Sequence, residues 1–565
     1  MSGGRLNSLE IAAQAEIRPI EQIAEAMGLP SEFAEPYGSG VAKIDLAAID
    51  ALRDRPRAKY VLVTAVTPTP LGEGKTTTTV GLGQGLQHIG RRAVLALRQP
   101  SLGPTMGIKG GGAGAGRSQV VPMERLNLHL TGDIHAVAAA HNQLAAQVDN
   151  HLMRGAPSGL DPARTTWRRT VDIDDRPLRR VVTGLGGNGP VRETGFDITA
   201  ASEVMAALSL SRSLADLRER MGRIVVGWTR DGDPVTAEDI RAAGAMTVLL
   251  KQALRPNLMQ TIEHTPVLVH CGPFGNIATG NSSVVADLIG QRCGEFLVTE
   301  AGFASDMGAE RFFNIKCRVS GLTPDAAVVV TTVRALKAHS GRHRVVAGRP
   351  LPDEMLAENP DEVREGADNL RHHIGIVRRH GVPVVVAVNA FASDHASEHD
   401  AIRRVAAEEG VACAVSTHVA DGGEGAAELA ELVDRATQEP TQFEFLYPES
   451  AGLEEKITAI ATQVYGADGV DISPGARRDL DEFTRRGYGA LPVCVAKTHL
   501  SLSADPSLRG APTGWRLPVR EVRLSAGAGF VYLICGDMQT MPGLGSAPAA
   551  EQIDIDENGE TVGLY

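Results

Sequence analysis

Tyr60-Val61-Leu62-Val63-Thr64-Ala65-Val66 runs directly into Thr67-Pro68-Thr69-Pro70-Leu71-Gly72-Glu73-Gly74-Lys75-Thr76. The first stretch is a continuous apolar run of strand length, the pattern of a strand buried on both faces. Residues 76–89 then read as a helix. Strand, glycine-bearing turn and helix, in that order, are the context a phosphate loop requires. Backbone N–H groups in such a turn point at phosphate oxygens, and the helix N-terminus adds partial positive charge. Lys75 is placed to reach the β- and γ-phosphates and Thr76 to hold a magnesium ion. Thr69 stands where the standard pattern has its first glycine, so the loop is a variant. The nucleotide-binding candidates are Thr69, Pro70, Leu71, Gly72, Glu73, Gly74, Lys75 and Thr76. The threonine run 76–79 supports that reading, because threonine is a poor helix former and a purely structural helix start would not favour four of them.

Outward from this unit, apolar runs alternate with helix-periodic segments. Strands are expected at 93–97, 224–228, 267–270, 296–299, 327–331, 382–388 and 412–415, and helices at 134–152, 236–254, 361–380 and 396–409. Valine-, leucine- and isoleucine-rich strands bounded by helices define an α/β fold. The expectation is a mainly parallel, P-loop NTPase-like sheet with helices on both faces, plus smaller α/β domains. Three units are drawn: 1–360, with a polar surface excursion near 155–195; 361–450; and a smaller α/β unit, 451–565, where the rhythm weakens. No internal repeat or low-complexity tract interrupts the chain.

The composition narrows the function. A chain of 565 residues is too long for one ordinary core. Its formal net charge of -12 argues against broad binding to nucleic acid or membrane surfaces. The six cysteines include no C-x-x-C pair, which fits reduced thiols rather than a disulfide framework or a zinc site. The N-terminus lacks a continuous apolar core, and no run reaches membrane-spanning length. A cytoplasmic enzyme is expected.

Arg98 ends the second strand, where ligands collect in parallel sheets, and a guanidinium there can clamp a small carboxylate or phosphate. A surface arginine capping a loop is the plainer alternative. Residues 107–116 are six-tenths glycine and suit a mobile cover or an oxyanion cradle. Next come His129, Asp133 and His135. Strand alternation places His129 away from the other two, which favours hydrogen bonding over a metal site, and Asp133 could orient a cation or a substrate amine.

Taken together, the blocks TPTPLGEGKTTTT, LRQPSLGPTMGIKGG, QVVPMERLNLHLTGDIHA, CGPFGNIATGNSS, VTEAGFASDMGAERFFNIKCR, LPVCVAKTHLSLSADP and SAGAGFVYLICGDMQTMPGL closely resemble the formate–tetrahydrofolate ligase family. They span residues 67–544. The resemblance implies ATP with Mg2+, formate and tetrahydrofolate as reactants, and a formyl phosphate intermediate. It places nucleotide phosphates at 69–76 and formyl phosphate at Arg98, so Lys75, Arg98 and Asp133 are the catalytic candidates. It places Phe303 and Phe391 near the folate, although the residues alone read as strand-end core aromatics. The unit 1–360 then holds nucleotide and formate, and 361–450 contributes to the folate site. The resemblance further implies a homotetramer and a response to a monovalent cation. The chain departs from the family at Val419, where a tryptophan is common, at Asp421, commonly lysine, and at Gln99, an acid in some relatives. Another P-loop acyl-phosphate ligase with a different acid or acceptor amine, or a non-catalytic nucleotide switch, are the competing readings.

Overall fold

The computed structural model describes residues 7–109, 112–346, 350–536 and 538–564. One 12-stranded sheet organises the chain. Its strands are β1 (Ala34–Pro36), β2 (Ala42–Ile44), β3 (Lys59–Ala65), β4 (Ala93–Leu97), β5 (Gly114–Ala115), β6 (Ser118–Val121), β7 (Asn257–Thr261), β8 (Pro266–Val269), β9 (Phe296–Glu300), β10 (Ala326–Thr331), β11 (Val384–Asn389) and β12 (Ala412–Ser416). They lie in the order β1-β2-β7-β8-β4-β9-β3-β10-β11-β12, with β6 on β7 and β5 on β6. From β8 to β12 all six neighbouring pairs are parallel, and the other end is antiparallel. β3 and β10 are buried almost throughout, as their apolar runs require. The two faces pack against separate layers. Leu62, Val329 and Val386 belong to one core and Val61, Val328 and Val385 to the other, which is the period-two alternation of a strand covered on both sides.

Helix α1 (Lys75–His88) follows β3, and α2 (Asp133–Met153) lies in the chain between β6 and β7. α1 is buried along most of its length, and its glycines let neighbours approach. A Cβ on Gly83 would come within 2.4 Å of Leu95, and one on Gly81 within 2.6 Å of His418.

Several expectations change. The sheet does not break at residue 360, because β11 and β12 continue it through parallel pairing with β10. Residues 451 onward build their own small sheets, Val470–Ile472 with Leu517–Val519, and Val493–Ala496, Phe530–Ile534 and Glu521–Ser525. The strand expected at 224–228 forms as Val225–Thr229, but in a separate antiparallel sheet with Leu160–Thr165 and Pro234–Thr236. The helix expected at 236–254 shrinks to Ala243–Leu250, because Thr236 ends that sheet and Arg241 takes a positive φ of 58°. The polar segment 161–180 is partly internal, with Trp167, Thr170, Asp172 and Asp174 buried. All six cysteines are free thiols. Among the described residues no helix is long and apolar enough to cross a membrane.

Candidate active site

β4, β9, β3, β10 and β11 end along one edge of the sheet, and each delivers a polar residue there. The loop after β3 turns through two left-handed glycines, Gly72 at φ 77° and Gly74 at φ 73°, a conformation that costs other residues strain. Gly74 is needed for a second reason. A Cβ there would lie 2.4 Å from Asn389 Nδ2, and Asn389 donates to the Glu73 carbonyl at 3.1 Å.

Glu73 holds the loop together. Its buried carboxylate accepts the Thr69 N–H at 2.8 Å and the Thr332 hydroxyl from just beyond β10. Arg334 donates to the Gly72 carbonyl at 2.7 Å. The N–H groups of Leu71 and Gly72 are also engaged inside the loop, by the Thr69 hydroxyl and carbonyl. Thr69 and the Glu73 side chain are therefore engaged within the loop, which leaves the first turn of α1, whose N–H groups have no partner within the helix, as the place where the loop could meet an anion. Lys75 and Thr76 open that turn and are half-buried. Pro70 and Leu71 form the rim, with Leu71 exposed.

Below the loop, the Thr67 N–H donates to Asn369 at 3.1 Å, and the Thr67 hydroxyl accepts from Asn369 at 3.0 Å and meets His373 at 2.9 Å. His339 meets the Thr67 carbonyl at 2.9 Å. Burial above all, with nearby cationic groups that include Lys497 and Lys75, pushes the His373 ring well below the usual imidazole range. Burial takes His339 to about 4. Both rings stay neutral at physiological pH, and the loop stands on an uncharged hydrogen-bonded base.

The centre of the site is a residue the sequence reading missed. Glu300 ends β9, between the loop strand β3 and the arginine strand β4. It is 3% exposed. One carboxylate oxygen accepts the Thr76 hydroxyl at 2.5 Å, and the other accepts Arg98 Nε at 3.3 Å. Thr76, Glu300 and Arg98 thus form one continuous polar chain. Arg98 also lies over Gly302, where a Cβ would come 2.9 Å from its Nη1. Next to it, Gln99 is buried with its Oε1 unpartnered among the described residues.

Two rings flank this chain in strand order. Phe303, just after β9, stacks on His499 with centroids 4.6 Å apart, and its edge packs on Gly275. It holds a positive φ of 60°, unusual for a bulky residue and a mark of local strain. Lys497, buried and bonded to Asp306 at 2.6 Å and to the Ser501 carbonyl at 2.6 Å, ties the Phe303 segment to the His499 segment. Phe391, just after β11, lies under the Arg334 guanidinium at 4.0 Å, beside the loop.

The structure does not bring Asp133 to the loop. It is 4% exposed, clamped by Lys43 Nζ at 2.6 Å and Asn257 Nδ2 at 2.7 Å, against β2 and β7 at the antiparallel end. Burial pulls the Lys43 ammonium below its ordinary range despite that carboxylate. His129 and His135, expected on opposite sides, meet at 2.8 Å, because residues 129–132 form a turn with Leu130 and Gly132 at positive φ. No three His, Cys, Asp or Glu among the described residues gather as metal ligands. In the glycine-rich segment, Gly110 and Gly111 lie outside the described residues. Past them the chain is tied down, with Gly112 N–H on Asn127 at 2.8 Å and β5 paired to β6. Val419 sits in a short helical turn, His418–Asp421, not on a strand. His418 turns inward to Thr78 at 3.1 Å and burial lowers its ring to about 4, while the Val419 carbonyl accepts the Arg117 N–H at 2.9 Å.

A mainly parallel sheet that brings a glycine-turned loop, an arginine and a buried carboxylate to one edge defines an α/β protein with a candidate site at the carboxyl ends of its strands. The comparisons are narrower. The family model of formate–tetrahydrofolate ligase matches residues 6–565. A formate–tetrahydrofolate ligase of Saccharopolyspora erythraea is 68% identical over 560 residues, 99% of each chain. One from Cutibacterium acnes is 62% identical over 561 residues, 99% of this chain and 100% of that one, and one from Roseiflexus sp. is 58% identical over 562 residues at the same coverage. The chain belongs to the formate–tetrahydrofolate ligase family.

Proposed function

We propose that the chain is an ATP-dependent ligase that joins formate to tetrahydrofolate, giving 10-formyltetrahydrofolate, ADP and phosphate through formyl phosphate. The observation that carries the site assignment is the Thr76–Glu300–Arg98 chain, which links the phosphate loop to a guanidinium able to hold a carboxylate. A formate oxygen attacks the γ-phosphorus, the bond to the β-phosphate oxygen breaks, and ADP leaves. The product is a mixed anhydride with phosphate as its leaving group, which the resonance-stabilised formate anion lacks. A folate amine nitrogen then attacks the carbonyl carbon, loses its proton, and phosphate departs.

Lys75 and the first turn of α1 orient the terminal phosphates. Arg98 holds formate in line and then the anhydride, by paired N–H donation. Thr76 and Glu300 offer hard oxygen donors side by side, the set magnesium prefers, so they fit the ion that accompanies ATP. When bound, that ion supplies charge neutralisation on the phosphates. Phe303 and Phe391 offer flat apolar faces to the pterin. Asp133 serves as a packing anchor, not a catalytic group. We assign the protein to the cytoplasm as a homotetramer responsive to a monovalent cation, with residues 451–565 as a separate folding unit.

The test is Arg98→Ser. ATP binding should persist while formate-dependent ADP release falls to background. Unchanged ADP release would place the acid clamp elsewhere.

A further inference from the structure

Four arginines of the segment 168–180 and two at the strand Glu521–Ser525 line one cavity of about 670 Å³, well away in sequence from the phosphate loop: Arg168, Arg176, Arg179, Arg180, Arg520 and Arg523. We propose that this basin is a binding site for a small multivalent anion, with phosphate or carboxylate groups.

The basin is built by docking. The Thr540 hydroxyl donates to Asp197 at 2.5 Å, Ile198 N–H donates to the Thr540 carbonyl at 3.0 Å, and Arg179 Nε donates to the Met541 carbonyl at 2.8 Å. These bonds fix the C-terminal residues against the 168–198 segment and close the wall. Within it the charges divide into two sets. Arg168 is neutralised by Asp197 at 3.0 Å and Arg523 by Glu521 at 2.6 Å. Arg176 and Arg179 instead donate to backbone carbonyls, Arg176 to that of Leu544 at 3.1 Å, and carbonyls carry no net charge. Among the described residues Arg180 pairs with Glu193 alone, at 3.6 Å, with both side chains largely in solvent. Three guanidinium groups in adjoining positions therefore keep most of their five N–H donors for another molecule.

Gathering them repels, and a chain of formal charge -12 gains nothing in solubility from a local positive cluster. A bound polyanion relieves the repulsion. The guanidinium fork fits carboxylate and phosphate equally, and the volume suits a small ligand. The acidic chain and the concave shape speak against a nucleic acid, which needs an extended basic track.

The test uses the full chain with saturating ADP and Mg2+, so that the phosphate loop is filled. Tripolyphosphate and citrate are titrated by calorimetry at physiological salt. Saturable binding of either one is expected, and which of the two binds tells phosphate from carboxylate. Arg176→Ser/Arg179→Ser should weaken it at least tenfold, and Arg176→Lys/Arg179→Lys, which keeps the charge without the fork, less. Arg154→Ser/Arg404→Ser, which removes two exposed charges elsewhere, should leave it unchanged. Absence of binding, or equal weakening by the Arg154/Arg404 control, overturns the proposal. So does a serine variant that stays folded and binds as before but changes sedimentation, since the basin is then a contact between copies.

Discussion

Replacing Glu300 by glutamine isolates the residue on which the proposed phosphoryl transfer turns. The side chains are near-isosteric, so β9 and its neighbours keep their packing, and only the charge goes. Two contacts then change at once. The Thr76 hydroxyl at 2.5 Å loses an ionic acceptor, and Arg98 at 3.3 Å loses its counter-charge and faces an amide. A hydrogen bond to a charged group contributes about 1.5–3 kcal/mol each, and a buried group left without its partner costs about as much again. A loss of about 3 kcal/mol in transition-state stabilisation is the central expectation, which is about a hundredfold in rate. The assay follows 10-formyltetrahydrofolate with ATP, formate and tetrahydrofolate at saturation, over a series of Mg2+ concentrations. kcat should fall about a hundredfold, and the Mg2+ concentration for half-maximal rate should rise. KM for tetrahydrofolate should hold, because Glu300 bonds Thr76 and Arg98 on the phosphate and formate side. A kcat within threefold of the parent, with unchanged Mg2+ dependence, would refute the role of this carboxylate and reduce the polar chain to a structural contact.

Other outcomes are expected at other residues. Lys75→Ala should abolish turnover with the thermal midpoint little changed, since Lys75 is half-buried at a helix start; retained ATP-dependent formylation removes the loop from the mechanism. Val419→Trp should lower KM for tetrahydrofolate about fivefold, the equivalent of one added stacking face of about 1 kcal/mol, and the half-buried Val419 borders a cavity of about 940 Å³ that has room for the ring. A constant or raised KM would take that cavity off the folate path. Glu310 is fully buried, and burial first of all, with Asp306 adding, raises its carboxyl to about 7 against Arg311 and Asn314. The folded chain keeps that proton to higher pH than the unfolded chain, so stability declines as pH rises from about 4.5 to about 7, by about 3 kcal/mol in all. Glu310→Gln should remove this slope and melt above the parent at pH 8 but not at pH 4.5; parallel melting curves across that range would contradict it.

The strands of the parallel half were legible because burial on both faces leaves an unbroken apolar run, and the loop because glycine, lysine and threonine follow such a run locally. Glu300 was not legible. It sits in VTEAGF, an acid at a strand end like many others, and its meaning comes from lying beside β3 through a pairing between residues more than two hundred apart. No local period encodes that adjacency. The same limit explains Arg334, Thr332 and Asn389, which reach the loop only because β10 and β11 follow β3 in the sheet. His129 failed for the opposite reason. It was read by strand alternation where the chain makes a turn, and a turn rotates side chains by a different angle per residue.

The departures at Val419 and Asp421 acquire a different weight once the strand order is known. The proposed formate activation draws on β3, β4 and β9, three adjacent strands, whereas Val419 and Asp421 follow β12 at the far edge. Loss of an aromatic face and of a positive charge there should leave the first half-reaction intact and tax only the second, in which the folate amine attacks. Yet the two are not mechanically independent. His418, next to Val419, bonds Thr78 and fills the space left by Gly81, both on α1, the helix whose first turn carries Lys75 and Thr76. A bulkier residue at 419 that shifted this turn would press on α1 itself. Formate-dependent ADP release measured without tetrahydrofolate separates the cases: if Val419→Trp changes that rate, the turn acts on the phosphate loop through α1, and the substitution is not a folate-side change alone.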